Sequence, residues 1–323
     1  MLLERIQQNA SLLAKYPAYR CGEDSLTYSQ LWNAASLLAA QLQDGAGAVA
    51  LIGTKQPMMA VGMLGSLLAG RPYLPLSSDQ PKERLQRILS QANPGTVIDC
   101  REIKAEQWLK REPATQNFLI PGDPSRDAYW LFTSGSSGSP KGVRISLAAL
   151  ENFVRWFCAL PAIRSRKKPG AALNQAQFSF DLSVADLWPA WMMGETVFAL
   201  EPSQQADLDK LYRALGESGA TRMSCTPSFA RLCLCDKSFQ RELMPALQTV
   251  FFCGETLPAR TVRQLRQRFP DVTVLNAYGP TEATCAVCAV EVTGAGEPLP
   301  VGQLANAACR LLILEQDGNE LPP

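Results

Sequence analysis

Apolar runs typical of buried strands alternate with segments of helical periodicity along the chain, and this alternation limits the possible folds more than any other feature. Residues 31–42 place leucine and alanine on one helix face, and residues 48–52 then form a run typical of a buried strand. Residues 128–133 predict a second strand, and residues 147–157 carry apolar side chains along one face of a further helix. Strand, loop and helix in this order predict an α/β fold.

The second half of the chain repeats this alternation. Apolar residues at helical spacing cover 208–215 and 262–269, and Pro258 is the expected first residue of the second helix. Strands are predicted over 249–253 and 272–276, and both lead into polar loops that contain glycine. Open α/β sheets bind ligands in such loops. We therefore predict two βαβ-type lobes with mostly parallel sheets packed together.

The length of the chain supports two lobes. At about 150 residues per domain, 323 residues predict two units or one large domain with two lobes. We expect one core over 1–323, with lobes over approximately 1–170 and 171–295.

Charge and hydropathy disfavour several classes of partner. The 31 basic residues against 30 acidic ones leave a net charge of +1, so the chain has no excess of positive charge for nucleic acid or an anionic membrane. The most apolar window, residues 58–70, is shorter than the roughly 20 residues that cross a bilayer, and it predicts a buried helix. Glu4 and Arg5 interrupt the start of the chain, so no secretory signal is predicted and a cytoplasmic location is expected.

The chain contains no histidine and ten cysteines. Without histidine, neither a Ser-His-Asp triad nor a Cys-His pair can form within these residues. Cys285 and Cys288 have C-x-x-C spacing, but structural zinc sites need a second such pair or histidines, so zinc is disfavoured. The chemistry must therefore use carboxylates, lysine, hydroxyl groups, backbone amides or a bound ion.

A glycine- and serine-rich run follows the strand predicted over 128–133. Its hydroxyl groups and exposed backbone can donate hydrogen bonds to a polyphosphate, and Lys141 adds a positive charge. The run is not a Walker A loop, because Pro140 and Gly142 flank the lysine. A flexible linker is the alternative, although a linker need not lie between a strand and an amphipathic helix. The candidate phosphate-binding residues are Thr133, Ser134, Gly135, Ser136, Ser137 and Gly138.

The string FTSGSSGSPKG resembles the signature loop of the adenylate-forming enzymes, which include nonribosomal peptide synthetase adenylation domains, acyl-CoA synthetases and luciferases. The resemblance covers essentially the whole chain and is greatest to the D-alanine:carrier-protein ligases. It implies the N-terminal large domain of an ATP-dependent, AMP-forming ligase. Other strings in the family's order are LTYSQL at 26–31, LLAGRPYLPL at 67–76, FSFDLSVADLWPAWMMG at 178–194, FFCGETLP at 251–258 and NAYGPTEAT at 276–284.

The string NAYGPTE carries groups suited to a nucleotide. Tyr278 offers a flat face for adenine, and Asn276 offers an amide for the edge of the base. Thr281 can donate to a phosphate, and Glu282 is an oxygen ligand of the kind that Mg²⁺ prefers. The alternative is a simple turn at 279–280 with Glu282 as a surface charge. The resemblance implies the same roles, with Lys141, Thr281 and Glu282 as the catalytic group and Gly254, Glu255, Ala277 and Gly279 beside the nucleotide.

Asp181 indicates the substrate class. Ser183 and Asp186 have the spacing of a capping box for the helix that follows, which gives Asp186 a structural role and leaves Asp181 without an evident one. The resemblance implies that Asp181 pairs with the α-ammonium group of an amino acid, a group that fatty-acid and aryl substrates lack. The alternative is a turn aspartate that bonds its own backbone.

The resemblance also implies a small pocket for the substrate side chain. Cys253 is expected to face the substrate, as the matching cysteine does in similar D-alanyl ligases. Those ligases have a methionine where this chain has Ala185, so we expect a larger pocket that accepts alanine or a somewhat larger amino acid. Cys285 is equally well explained as a core residue. The pocket residues implied in this way are Asp181, Leu182, Ala185, Phe251, Cys253, Ala277 and Cys285.

The end of the chain resembles the part of the family that precedes a small C-terminal domain. Residues 316–323 are similar to the turn before a further β-rich segment, so residues 296–323 are expected to begin a β-rich subdomain. The family's ribose-binding aspartate and catalytic lysine lie beyond this point, and Lys141 does not take that lysine's role. The chain is therefore expected to be the large N-terminal domain of a longer enzyme and to adenylate poorly alone.

The predicted reaction converts ATP and a small amino acid to aminoacyl-AMP and pyrophosphate, followed by transfer to the phosphopantetheine thiol of a carrier protein. ATP and Mg²⁺ are the expected cofactors. Two alternatives stay open. An acyl- or aryl-CoA synthetase would share the phosphate loop and Glu282, and a catalytically inactive chain would serve as a binding module.

Overall fold

The computed structural model describes residues 2–103, 123–134, 139–164, 170–294, 296, 298–302, 309–310, 312–315 and 317–321. This part of the chain folds into two largely parallel β-sheets with helices packed against them, which confirms the predicted α/β class. The strands are β1 (Pro17–Cys21), β2 (Asp24–Thr27), β3 (Val49–Gly53), β4 (Tyr73–Ser77), β5 (Thr96–Asp99), β6 (Asp127–Ser134), β7 (Pro140–Ser146), β8 (Ala171–Asn174), β9 (Thr196–Ala199), β10 (Ala220–Cys225), β11 (Thr249–Phe252), β12 (Thr273–Tyr278) and β13 (Cys288–Glu291).

The described helices cover the segments in which the sequence shows helical periodicity. None of them combines the length and apolar composition that a membrane crossing requires. Short 3-10 turns are formed by Asp181–Ser183 and Thr281–Ala283. The helices are α1 (Leu2–Leu12), α2 (Tyr28–Leu42), α3 (Pro57–Leu68), α4 (Lys82–Ala92), α5 (Leu147–Ala159), α6 (Pro161–Arg164), α7 (Val184–Met193), α8 (Pro202–Gln205), α9 (Leu208–Glu217), α10 (Pro227–Leu234) and α11 (Ala259–Arg268).

The smaller sheet has the strand order β5-β3-β4-β6-β7, and its first four strands run parallel. Helix α3 is apolar on all sides, and every one of its residues is buried, which confirms the buried helix predicted over 58–70. It packs so closely against α2 that a Cβ on Gly65 would lie only 2.9 Å from the carbonyl oxygen of Ala35. Close helix packing therefore depends on glycine at this position.

The larger sheet has the order β13-β12-β11-β10-β8-β9-β1-β2. β1 pairs in parallel with β9, so the hairpin of β1 and β2 belongs to this sheet and not to the smaller one. The predicted lobe of residues 1–170 therefore does not coincide with one sheet. Local periodicity could not reveal this, because the pairing joins Tyr19 to Val197 across most of the chain.

Residues 140–146 form β7, where the sequence analysis expected the glycine- and serine-rich run to lead directly into a helix. Val143 and Ile145 are buried on either side of exposed Arg144, which is the alternation of a strand. β7 pairs antiparallel with β6 and places Pro140 opposite Ser134. The run therefore connects two antiparallel strands, and α5 begins only after Ser146, whose side chain caps it.

The predicted capping box at Ser183 and Asp186 is wrong. The Ser183 hydroxyl donates to the carbonyl oxygen of Phe180 at 2.7 Å and does not cap the helix. Asp186 is fully buried and lies 3.5 Å from Arg222, which also pairs with buried Glu195 at 2.9 Å. Burial raises the pKa of Asp186 to about 6, and Arg222 opposes this shift. The carboxylate thus fixes α7 against β10, since a buried charge needs a partner.

Lys55 joins the two sheets at the carboxyl ends of their strands. It follows β3, is fully buried, and its ammonium group donates to the side chain of Asn174 at the end of β8 and to the carbonyl oxygen of Ala176. The ammonium also lies 4.0 Å from the centre of the Phe178 ring. These contacts hold the segment that leads to Asp181.

Replacing Lys55 with methionine is expected to remove a pH-dependent part of the stability. Burial lowers the pKa of Lys55 to about 7 in the folded protein, against about 10.4 in an unfolded chain. The unfolded chain therefore binds more protons between these values. The free energy of unfolding of the wild type should then rise with pH relative to the variant, by up to about 1.4 kcal/mol per pH unit.

Chemical denaturation of both proteins from about pH 7 to about pH 10 measures this difference. Other groups that titrate in this range, including buried cysteines, cancel in the comparison. A difference between the two proteins that does not change with pH would contradict the lowered pKa.

Candidate functional site

A cleft of about 750 Å³ opens at the carboxyl ends of the strands in the larger sheet. Its walls come from the loops that follow β8, β11 and β12, the edge at which open α/β sheets bind ligands. Many of the residues predicted from the sequence meet here. Those that line the cleft are Asp181, Leu182, Cys253, Gly254, Glu255, Gly279, Thr281 and Cys285.

A second cavity, of about 550 Å³, adjoins the cleft, and Asp181 and Thr281 line both spaces. Thr133 and Ser134, at the end of β6, form another part of its wall. Candidate phosphate-binding groups and the candidate ammonium-binding carboxylate therefore open onto connected space. The other candidates in the phosphate loop, Gly135, Ser136, Ser137 and Gly138, lie outside the described residues.

Lys141 and Glu282 pair with each other next to Thr281, although neither of them lines the cleft or the second cavity. The Lys141 ammonium donates to the Glu282 carboxylate at 2.9 Å, and both side chains are exposed to solvent. The hydrogen bond from Lys141 lowers the pKa of Glu282. An exposed pair of this kind adds little stability. Its importance is geometric, because it brings the lysine of β7 into contact with the candidate magnesium ligand.

Asp181 begins a 3-10 turn and is largely enclosed. Its carboxylate accepts hydrogen bonds from the backbone of Leu182 and of Asp181 itself, as the alternative of a turn aspartate predicts. It also accepts one from the Thr281 hydroxyl at 2.6 Å, a partner that the sequence did not indicate. Burial nevertheless raises the pKa of Asp181. A carboxylate whose ionised form is disfavoured by burial gains from a cationic ligand. The side chain is therefore suited to an ammonium group.

The backbone that follows β12 is tightly packed and strained. A Cβ on Gly279 would lie 2.5 Å from the Cα of Ala286, so no side chain fits there. Thr284 and Cys285 adopt φ angles of 62° and 72°, in the left-handed region that non-glycine residues rarely occupy. Strain of this kind persists where the surrounding structure enforces it, often at binding sites. Here it places Cys285 against Cys253.

Cys253 and Cys285 form one wall of the cleft. The Cys253 thiol lies 3.5 Å from the carbonyl oxygen of Cys285, and both residues are buried. The pKa of Cys285 lies well above its usual range, because its thiol is hydrogen-bonded to Cys253 and is buried. The hydrogen bond with Cys285 lowers the pKa of Cys253, whereas the raised pKa keeps the Cys285 thiol neutral, and a neutral thiol behaves as a small apolar group. Together with Leu182, the thiols give the cleft an apolar wall beside Asp181, which suits a small apolar side chain.

Three candidates for the side-chain pocket lie behind the cleft and not in its wall. Ala185, Phe251 and Ala277 are buried, and the Phe251 ring packs edge-on against Phe157 at 5.1 Å. The larger pocket expected from Ala185 stays a prediction.

The candidates for nucleotide binding differ in their surroundings. Asn276 is buried, and its side-chain amide donates to the carbonyl oxygen of Pro300 at 2.8 Å, so this donor serves the fold. Tyr278 ends β12 and leaves 58% of its surface exposed, which keeps its ring available to a flat ligand. The Glu255 carboxylate accepts a hydrogen bond from the Ser228 hydroxyl at 2.6 Å at the rim of the cleft.

Among the cleft residues that the sequence did not indicate, two line both cavities. They are Gln177 and Phe180, and Phe180 leaves 61% of its surface exposed. An exposed phenylalanine inside a cleft is typical of a ligand-facing surface. The string FSFDLS contains Phe180 directly before Asp181, so attention to its neighbours could have found it.

Two solved structures have the same fold. The N-terminal subdomain of Klebsiella oxytoca NpsA aligns with a TM-score of 0.80 and 20% identity over 99% of this chain and 84% of that one. VinN aligns with a TM-score of 0.84 and 20% identity over 100% of this chain and 85% of that one. The chain thus shares the fold of VinN and of the N-terminal subdomain of NpsA.

The family model described as AMP-binding enzyme matches residues 6–323. The chain belongs to this family of adenylate-forming, ATP-dependent ligases. It is 36% identical to the D-alanine–D-alanyl carrier protein ligase of Bacillus velezensis, over 99% of this chain and 67% of the relative. It is also 36% identical to the ligase of that name from Bacillus licheniformis, over 98% of this chain and 66% of the relative. The chain thus spans about two thirds of the length of these relatives.

Proposed function

We propose that the protein activates a small amino acid as its adenylate. The carboxylate oxygen of the amino acid bonds to the α-phosphorus of ATP, the bond from that phosphorus to the bridging oxygen breaks, and pyrophosphate leaves with the electron pair. The observation that carries this proposal is the connected pair of cavities. Thr133 and Ser134 lie on one side, the thiol-lined wall lies on the other, and Asp181 opens onto both.

Asp181 and the apolar wall support an amino acid as the substrate. The carboxylate can pair with an α-ammonium group, while Cys253 and Cys285 leave space beside it for a small apolar side chain. The relatives are named for D-alanine and a D-alanyl carrier protein. We therefore propose alanine or an amino acid of similar size.

The phosphate side of the site requires groups that offset negative charge. Thr133 and Ser134 offer hydroxyl donors to the phosphates, whereas Thr281 would have to exchange its hydrogen bond to Asp181 for one to a phosphate. Glu282 has a solvent-accessible carboxylate, and Mg²⁺ takes one or two protein carboxylates together with phosphate oxygens, so Glu282 fits a magnesium ligand. When bound, Mg²⁺ would offset the charge of the phosphates.

Transfer of the activated amino acid to a carrier protein is the second part of the proposal. The phosphopantetheine thiol of a carrier would attack the acyl carbon of the adenylate, and AMP would leave. The support is the naming of the relatives and their similarity over nearly the whole of this chain. Because the reaction uses ATP, we propose that it takes place in the cytoplasm.

Amino-acid-dependent exchange of pyrophosphate into ATP tests the proposal. The protein would be assayed in the form that its native cells produce. The substrates would be glycine, D- and L-alanine, and D- and L-serine, with propionate as a control that lacks an amine. We expect exchange with at least one small amino acid and about 100-fold less with propionate. Absence of exchange with every amino acid would refute the proposal, and equal exchange with propionate would favour an acyl-CoA synthetase.

A further inference from the structure

A cationic side chain that no motif indicated faces the phosphate side of the site. Arg84 lies in the first turn of α4 and lines the 550 Å³ cavity together with Thr133 and Ser134. Gln80, from the segment between β4 and α4, lines the same cavity. Thus β6 and the start of α4 both contribute to the wall of this cavity.

Arg84 has no local partner that explains its position. The neighbouring cations Lys141 and Arg144 pair with Glu282 and Asp127. Arg84, in contrast, makes neither a hydrogen bond nor an ion pair with any residue that the structure describes. A positive charge in the first turn of a helix is also disfavoured by the helix dipole. Its position is therefore suited to an anion in the cavity.

Gln80 supplies an independent observation at the same place. Its side-chain nitrogen is buried and has no hydrogen-bond partner among the described residues. A buried donor without an acceptor is costly. An anion in the cavity would give both Gln80 and Arg84 an acceptor.

We infer that Arg84 binds the terminal phosphates of ATP and the pyrophosphate that leaves from them. This inference rests on the proposed function and deepens it. As the bond from the α-phosphorus to the bridging oxygen breaks, negative charge builds up on the departing pyrophosphate. A guanidinium group is suited to phosphate oxygens, because its planar donors can bond two of them at once. Arg84 would thus stabilise the leaving group from the cavity that Thr133 and Ser134 also line.

The test compares Arg84→Gln with a matched control, Arg87→Gln. Arg87 lies on the same helix but lines a different, open groove with Glu83 and Ser139, so the control removes the same charge from the same element. Binding of magnesium pyrophosphate, ATP and AMP would be measured by titration calorimetry on the wild type and both variants. We expect Arg84→Gln to weaken the binding of pyrophosphate and of ATP about 10- to 100-fold. The dissociation constant of AMP should stay within about twofold, because AMP lacks the terminal phosphates. In Arg87→Gln, the dissociation constants of all three ligands should stay within about twofold of the wild-type values.

Three outcomes would overturn the inference while the proposed function stands. The first is unchanged pyrophosphate binding in Arg84→Gln, and the second is an equal loss of pyrophosphate binding in both variants. The third is a loss of AMP affinity in Arg84→Gln as large as the loss of ATP affinity. Failure of the wild type to bind ATP would instead reject the proposed function, and this inference with it. In exchange assays on active protein, Arg84→Gln should raise the KM for pyrophosphate and leave that for the amino acid within about threefold.

Discussion

Replacing Glu282 with glutamine should reduce amino-acid-dependent ATP–pyrophosphate exchange by about 100- to 1,000-fold. Glutamine keeps the shape of the side chain but loses the charge that a magnesium ligand and a partner of Lys141 both need. The loss should appear in kcat more than in the amino-acid KM, because the carboxylate acts on the phosphates and not on the ammonium group.

The same substitution should leave the fold intact. Glu282 is exposed, and its ion pair with Lys141 joins two solvent-accessible side chains, so the midpoint of thermal unfolding should stay within about two degrees. Glu217→Gln, an exposed glutamate at the end of α9, is the matched control and should keep full exchange. If Glu282→Gln retains more than about a tenth of the wild-type exchange rate, Glu282 is not a catalytic residue.

Much of the fold could be predicted because its signals are local. The helices around residues 31–42 and 147–157 and the buried helix near 58–70 each show a periodicity that one segment reveals alone. Pairings between distant segments leave no such signal. The sequence therefore could not place β1 beside β9, or reveal that residues 140–146 turn back along β6 before the next helix begins.

The candidate site shows the same division between local and distant information. Asp181, Thr281 and Glu282 could be predicted because each lies in a string that resembles a family motif. Charged residues that act through distant contacts have no such string around them. Lys55 and Arg222 are buried against residues more than 25 positions away, and neither was predicted to shape the site. Their burial and pairing had to be observed.

Replacing Asp181 with asparagine tests the substrate class. We expect the KM for the amino acid to rise about 100-fold while the KM for ATP stays within about threefold, because the variant loses the charge that pairs with the ammonium group. Asparagine retains a side-chain oxygen that can accept the hydrogen bond from Thr281. The preference for alanine over propionate should fall by a similar factor. An unchanged amino-acid KM would show that the substrate amine is not recognised here.

The pH dependence of the same variant separates loss of charge from loss of fold. Burial raises the pKa of Asp181, so acid protonates this carboxylate before it reaches ordinary aspartates. The amino-acid affinity of the wild type should therefore fall as the pH drops through that raised pKa, and it should reach a plateau above it, while the ammonium group stays charged throughout. The asparagine variant should bind the amino acid weakly, and its affinity should not change with pH in this range. Because it removes a charge that burial disfavours, its free energy of unfolding at neutral pH should equal or exceed that of the wild type. A slope that persists in the variant would assign the titration to another group.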